Sequence, residues 1–360
     1  MKKVVSLLLA VCLVLTASVA AFAEEESGTL IKGKLKTKIK IAKSYPENPV
    51  IEGVSSTTGL PSSGEAYTPI LLVLDNAEDA YPHWGISQAD ILFQIPNAGK
   101  GATKLMALFA DNYPEQAGGA RSGRATMLPI ANAFDSAFAY AGPPATSGSN
   151  VSVDKLIKKW DIKKKCYNLL GNDFRERVKY TESPHNLSAH IKEIHEDLIK
   201  SGIEFTQHPF LFTDDPLDRG ESASYISLEH YGDSKKKNSH KNNASSSTFA
   251  YDPEKKSYTR SSATGVNVDR DTNEPVEFAN VIVIRTALSW QSGYPYYKNH
   301  LVNNGVAEIF QNGHYIQGAW VRKSQTSRIV FLDENGEELK FQRGKTFMVV
   351  TNDVTEVVYR

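Results

Sequence analysis

Cysteine is nearly absent: the 360-residue chain holds two, Cys12 and Cys166. With Cys12 in a removable leader, Cys166 has no partner, so an internal disulfide is excluded and the fold must be held by packing. Lys163, Lys164 and Lys165 precede Cys166 and would favour a thiolate, but a lone part-buried cysteine is ordinary and no catalytic thiol is assigned. An excess of either charge is also missing, since 41 Lys and Arg face 41 Asp and Glu. That balance excludes bulk attraction to nucleic acid, and any charged partner must be met by a local patch. Hydrolase signatures are lacking too: there is no G-x-S-x-G, no H-E-x-x-H and no Cys/His pairing with clear spacing. His190 and His195 would stand about 140° apart around a helix, off a common face, so no metal is assigned. The segment 97–101, NAGKG, has neither the full dinucleotide pattern nor the terminal Lys-Ser/Thr of a phosphate loop, and no cofactor is assigned.

Long apolar runs occur once, at the start. Lys2 and Lys3 precede an apolar core over 4–15, and Ala21-Phe22-Ala23 then places small residues where a signal peptidase cuts. Residues 1–23 therefore read as a secretory signal peptide, with a mature start at Glu24. Lipid attachment at Cys12 is the less fitting alternative, because Val11 stands where lipoprotein processing takes Gly, Ala or Ser. If uncleaved, 4–22 is just long enough to anchor in a membrane. Each course puts the protein outside the cytoplasm, in the cell envelope or secreted.

What remains is long enough for two domains. Residues 24–68 form a basic, irregular lead-in. Within it Lys32, Lys34, Lys36, Lys38 and Lys40 alternate with mainly apolar positions, so an extended chain puts all five on one face. Such a face suits an anionic wall polymer or a membrane surface, and equally a solvated tail or a lysine-protected edge strand. An N-terminal α/β-type domain is expected over 69–231, with strands at Ile70–Leu74, 91–93 and 105–110. A polar stretch over 232–248, rich in Lys, Ser and Asn, reads as a linker or loop. A smaller, mainly β domain follows over 249–360, with hairpin signals at Asn312-Gly313 and Asn335-Gly336 and a last strand at Thr346–Thr351. The fold class is mixed α+β.

The stretch 118–147 is the candidate site. Its glycines permit an open loop, and Arg121 and Arg124 supply guanidinium forks suited to carboxylate or phosphate, with the Ser122 hydroxyl between them. The competing role is a structural staple, each arginine pairing with a local carboxylate such as Asp90, which sits with Gln88 just before the second strand. A helix is predicted after Ser183-Pro184, with Leu187, Ile191, Ile194 and Leu198 on its apolar face and Gly202 as its stop. This would set His185 and Asn186 at a helix start, where backbone amides attract anions or the side chains act as caps.

The order of several short motifs carries a resemblance: Asn76, the GISQAD run at 85–90, Arg121-Ser122-x-Arg124, Gly142, Phe174-Arg175 and Pro184-His185-Asn186. The second half adds Tyr258-x-Arg260, Asn280-Val281-Ile282-Val283, Trp320, Asp333-x-x-Gly336 and Gly344-Lys345-Thr346. From about Pro69 onward the chain resembles the YerB-like family of bacterial proteins named as lipoproteins, which pair an N-terminal and a C-terminal domain of unknown function. The resemblance implies an envelope compartment and a two-part architecture, without a reaction. Gln94 and Lys104 depart from the glutamate and arginine usual in the family, and the family's lipid-bearing cysteine has no convincing counterpart. The candidate ligand-binding set is Arg121, Ser122, Arg124, Asp90, His185, Asn186 and Asn76. It serves two readings: a non-catalytic module that binds an anionic group of a wall polymer or protein partner, or a wall-directed hydrolase or transferase. In the second reading Asp90 or His185 is acid or base and the arginines hold substrate.

Overall fold

The computed structural model describes residues 29–31, 38–97, 102–142, 152–215, 217–231, 245–291, 294–299, 301–352 and 354–360. The leader, Lys32, Lys34, Lys36, most of the NAGKG segment, 143–151 and most of the polar stretch 232–248 lie outside them. The first half contributes β1 (Ile70–Leu74), β2 (Ile91–Pro96), β3 (Thr103–Phe109), α1 (Leu128–Ala133), β4 (Ala137–Tyr140), α2 (Val153–Lys159), β5 (Cys166–Asn168), β6 (Leu187–Ala189) and α3 (Ile191–Lys200). The second contributes β7 (Tyr225–His230), β8 (Ser247–Asp252), β9 (Ser257–Ser262), β10 (Asn280–Arg285), β11 (Asn303–Gln311), β12 (His314–Arg322), β13 (Thr346–Thr351) and β14 (Thr355–Tyr359).

One eleven-stranded mixed sheet organises the chain, running in the order β12, β11, β10, β13, β2, β3, β1, β4, β5 with two short strands at the β12 side. The apolar runs of β1, β2, β10 and β13 are buried at every position, as strands covered on both faces must be. Side-chain alternation divides them between two cores. Ile70, Leu72 and Leu74 face one core with Ile191, Ile194 and Leu198 of α3 and Phe249, Val357 and Tyr359 of a second sheet. Leu71 and Val73 face the other, with Leu128 and Ile130 of α1, Ile157 of α2, and Phe210 and Phe341. The second sheet runs from Thr29–Ile31 through β14, β7, β8 and β9. Strand β7 alternates buried and partly buried positions, as expected of a sheet covered on one face.

Strand β13 belongs to 249–360 in sequence, yet pairs in parallel with β10 on one side and with β2 on the other, Phe347 opposite Leu92. The central sheet is therefore shared by 69–231 and 249–360. A buried polar seam joins them again: Arg260 donates to the Ser247 hydroxyl at 2.8 Å and to the Tyr81 hydroxyl at 3.0 Å, and Tyr81 donates to Asn76 Oδ1 at 2.5 Å. Gln94 binds the Ser245 carbonyl at 2.6 Å and Thr103 at 3.0 Å.

Strand residues (39%) far outnumber helical ones (13%), so the fold is predominantly β and only loosely α+β; the α/β description of 69–231 gives it too much helix. The reason is local, since α1 and α2 span only 6 and 7 residues. The helix predicted after Ser183-Pro184 starts later, at Ile191. Leu187–Ala189 is instead strand β6, because its backbone is claimed by two partners, Ala117-Gly118 and Arg175–Arg177. The Asn312-Gly313 turn links β11 to β12 with φ of 49° and 73°, the left-handed pair that a tight hairpin requires. Asn335-Gly336 turns between short strands joined by a single bridge from Leu332 to Glu338. The last strand is β14, which follows Thr346–Thr351 and pairs with β7.

Because β13 is held between strands of both halves, a chain cut within 232–244 is expected to stay together. The two fragments should co-elute on size exclusion without denaturant and separate only in urea or guanidinium. Separation under native conditions would contradict the shared sheet.

Candidate functional site

Strands β1 and β4 run parallel and pair only as far as Leu72 and Ala139. Beyond that point the segment 119–123 is inserted between their carboxyl ends. Arg121 N donates to Val73 O at 2.9 Å and Asp75 N to Gly119 O at 3.0 Å, while Ala141 N reaches Arg121 O at 2.8 Å. Diverging carboxyl ends of parallel strands are where open sheets place ligands. The glycines here serve close approach: a Cβ on Gly118 would stand 2.1 Å from the Trp84 ring, and one on Gly119 would stand 2.1 Å from the His185 carbonyl oxygen. That contact, with Ala120 N on Leu187 O at 2.7 Å, draws the 185–187 backbone onto the loop.

The charged centre is Asp75, the first residue after β1. Its side chain is 2% exposed and meets three basic groups: Lys104 Nζ at 2.5 Å on Oδ1, and Arg121 Nε at 2.6 Å and His185 Nδ1 at 2.8 Å on Oδ2. The Asn76 amide donates to Oδ1 at 2.9 Å, and the Asp75 carbonyl is bound by His83 Nε2 at 2.8 Å. Burial works to raise the Asp75 carboxyl, but Lys104 and Arg121 outweigh it and hold it well below the usual carboxylate range. Burial lowers the Lys104 ammonium, against the pull of Asp75. His83 is fully buried and pushed down to about 4, chiefly by desolvation, so it stays neutral and donates through Nε2. Lys104, Arg121 and His185 are 15, 22 and 15% exposed, so the carboxylate lies beneath a rim of basic groups that solvent still reaches.

The predicted residues separate into those at this centre and those elsewhere. Arg121 and His185 come together, Arg121 NH2 lying 3.4 Å from His185 Nδ1. Arg124 is buried and folds back on its own loop, donating to the Ser122 and Gly123 carbonyls at 3.1 and 3.0 Å. Ser122 is partly buried. Asn76 is spent inside the fold, donating to Thr103 at 2.7 Å and accepting from Tyr81. Asn186 accepts from Arg177 at 2.6 Å in the β6 hairpin region, and neither it nor His185 caps a helix, since α3 begins at Ile191. Asp90 does not meet either arginine. It stands at the amino end of β2, its amide on Leu108 O, whereas Asp75 lies toward the Lys104 end of the intervening β3. There it accepts from Thr57 Oγ1 and the Ala110 amide, each at 2.9 Å, and burial pushes it up to about 7.

Cys166 is half-buried, and burial pushes its thiol up to about 12, so the adjacent lysines do not generate a thiolate. Of the lysine row, Lys38 and Lys40 are exposed, while Ile39 and Ile41, which alternate with them, pack against Val321, Val330 and Leu332. No group of three or more His, Cys, Asp and Glu side chains is arranged for a metal among the described residues. No helix among them is long and apolar enough to cross a membrane. Sequence reasoning missed Asp75 and the part played by Lys104. The available signal was a carboxylate directly after an unbroken apolar strand, a position at the carboxyl end of the sheet.

Residues 57–204 match the family model described as "Protein of unknown function (DUF3048) N-terminal domain", and residues 237–348 match its C-terminal domain. A Bacillus subtilis (strain 168) protein named "Putative lipoprotein YerB" is 28% identical over 294 residues, covering 79% of this chain and 82% of that protein. The crystal structure of the YerB protein from Bacillus subtilis superposes with a TM-score of 0.68 at 25% identity, over 84% of this chain and 99% of that one.

Replacing Asp75 by Asn should cost about 3–5 kcal/mol at neutral pH, because two partly buried cations lose their counter-charge. The native carboxyl lies below its unfolded value, so its stabilisation is complete above about pH 4 and is lost as the pH falls further. Denaturation followed from pH 7 to pH 2 should show the wild type losing more stability than Asp75→Asn below that point. Parallel curves would contradict the assignment.

Proposed function

Since the chain belongs to the YerB-like family of paired DUF3048 domains, whose activity is unassigned, we propose that it is an extracytoplasmic envelope protein that binds an anionic group through the Asp75 centre. The observation that carries this reading is the charge arrangement: one buried carboxylate holds Lys104 and Arg121 in place, leaving positive charge on a partly exposed rim. Arg121 uses Nε on Asp75, and the outer edge of a guanidinium so fixed is suited to an oxyanion. The signal-like leader supports the compartment, as does the lipoprotein name of the B. subtilis relative. The anionic group belongs to a wall polymer or a protein partner, and exposed Lys38 and Lys40 extend the same preference along the lead-in segment.

A second reading has its own observation. His185 Nδ1 lies 2.8 Å from Asp75 Oδ2, the pairing that orients an imidazole as a general base. In that reading His185 is the acid or base of a wall-directed hydrolase or transferase and Arg121 holds substrate.

Sedimentation with isolated envelope fractions separates the readings. Arg121→Lys keeps the charge beside Asp75 but loses the planar fork. One charge-assisted hydrogen bond is worth roughly 1.5–3 kcal/mol, so retention should fall about tenfold or more while the melting temperature changes little. Equal retention would contradict binding at this site. With His185→Gln, unchanged retention but lost release of soluble wall fragments would favour the catalytic reading.

A further inference from the structure

We propose that the pocket between the β8–β9 turn and the turn entering β13 is a second oxyanion site, one that takes a phosphate group. It is a cavity of about 320 Å³, at the small end for a ligand site. Four cationic residues line it, Lys255, Lys256, Arg343 and Lys345, against a single carboxylate, Glu277. Part of that charge is already matched: Lys255 Nζ meets Glu277 at 2.6 Å, and Arg343 donates through Nε to Asp214 at 2.6 Å and through Nη1 to the Gly59 carbonyl. Lys345 is largely buried and donates to the Ser87 carbonyl, and Lys256 is exposed. Neither has a carboxylate at ion-pair distance among the described residues.

An independent observation points the same way. Ser257 lines the pocket, is 9% exposed, and its hydroxyl has no hydrogen-bond partner among the described residues. Buried hydroxyls are nearly always paired, so this one is a donor lacking its acceptor. The turn that carries Arg343 and Lys345 is fixed by Gly344, whose φ is 127° and whose added Cβ would stand 2.9 Å from the Ala279 Cβ. Its amide is held by the Thr58 carbonyl at 2.8 Å. Lysine, arginine and serine side chains from separate strands and turns thus line one pocket. A tetrahedral anion, with oxygens in several directions, matches that set better than a planar carboxylate with two. The site is distinct from the Asp75 centre and does not depend on it.

Inorganic pyrophosphate is the probe, titrated calorimetrically into the folded full-length chain at fixed ionic strength. Lys256→Gln changes an exposed side chain without an ion pair, and Ser257→Ala deletes an unpaired hydroxyl, so both variants should melt near the wild type. Saturable binding is expected for the wild type, weakened at least tenfold by each of these changes and retained in Arg121→Lys. The proposal is overturned by a wild type that does not bind, by binding indifferent to both changes, or by binding lost only in Arg121→Lys.

Discussion

The local architecture of the site depends on one buried carboxylate. Asp75 emerges at the end of β1, where backbone pairing between β1 and β4 has ceased, and an ionised side chain there needs compensation in a dry setting. Lys104 supplies it from β3 and Arg121 from the inserted loop, with His185 reaching it from the segment before β6. Three elements distant in sequence are fixed to one another through a single side chain. Any function placed on Arg121 or His185 inherits its geometry from that carboxylate.

The same constraint explains the glycine pair. A loop with two arginines and several glycines reads in sequence as flexible and open, and the open pocket is the natural inference. In the fold, Gly118 and Gly119 are small because Trp84 and the His185 carbonyl occupy the space a Cβ would need. Arg124, equal to Arg121 in sequence, is turned back on its own loop carbonyls, so the two arginines hold different posts. Adjacent residues of one type cannot be told apart by spacing when their partners come from 46 residues away, as Asp75 does for Arg121.

What was legible in the sequence was whatever is decided locally. The apolar runs at 70–74, 91–93 and 281–284 are strands because period and burial agree, and Asn312-Gly313 is a hairpin because its backbone angles suit those residues. The helix predicted after Ser183-Pro184 has the right apolar spacing for α3, but its first residues are drawn into β6 by strands that local sequence does not reveal. Likewise Asp90 stands at the amino end of β2 and Arg121 in the loop inserted at the carboxyl end of β1, toward opposite ends of the sheet, which only the β2–β3–β1 register decides. The pairing of β13 with β2 is the largest such effect, since it joins Leu92 and Phe347, 255 positions apart in the chain, in one layer.

The direct measurement is a double-mutant cycle on folding stability, using Asp75→Asn, Arg121→Gln and the combined variant in denaturant titrations at neutral pH. A carboxylate that holds Arg121 in a water-poor site predicts a coupling energy of roughly 1.5 kcal/mol or more, within the range for contacting charged groups. Additivity within about 0.5 kcal/mol, the behaviour of independent sites, would contradict it.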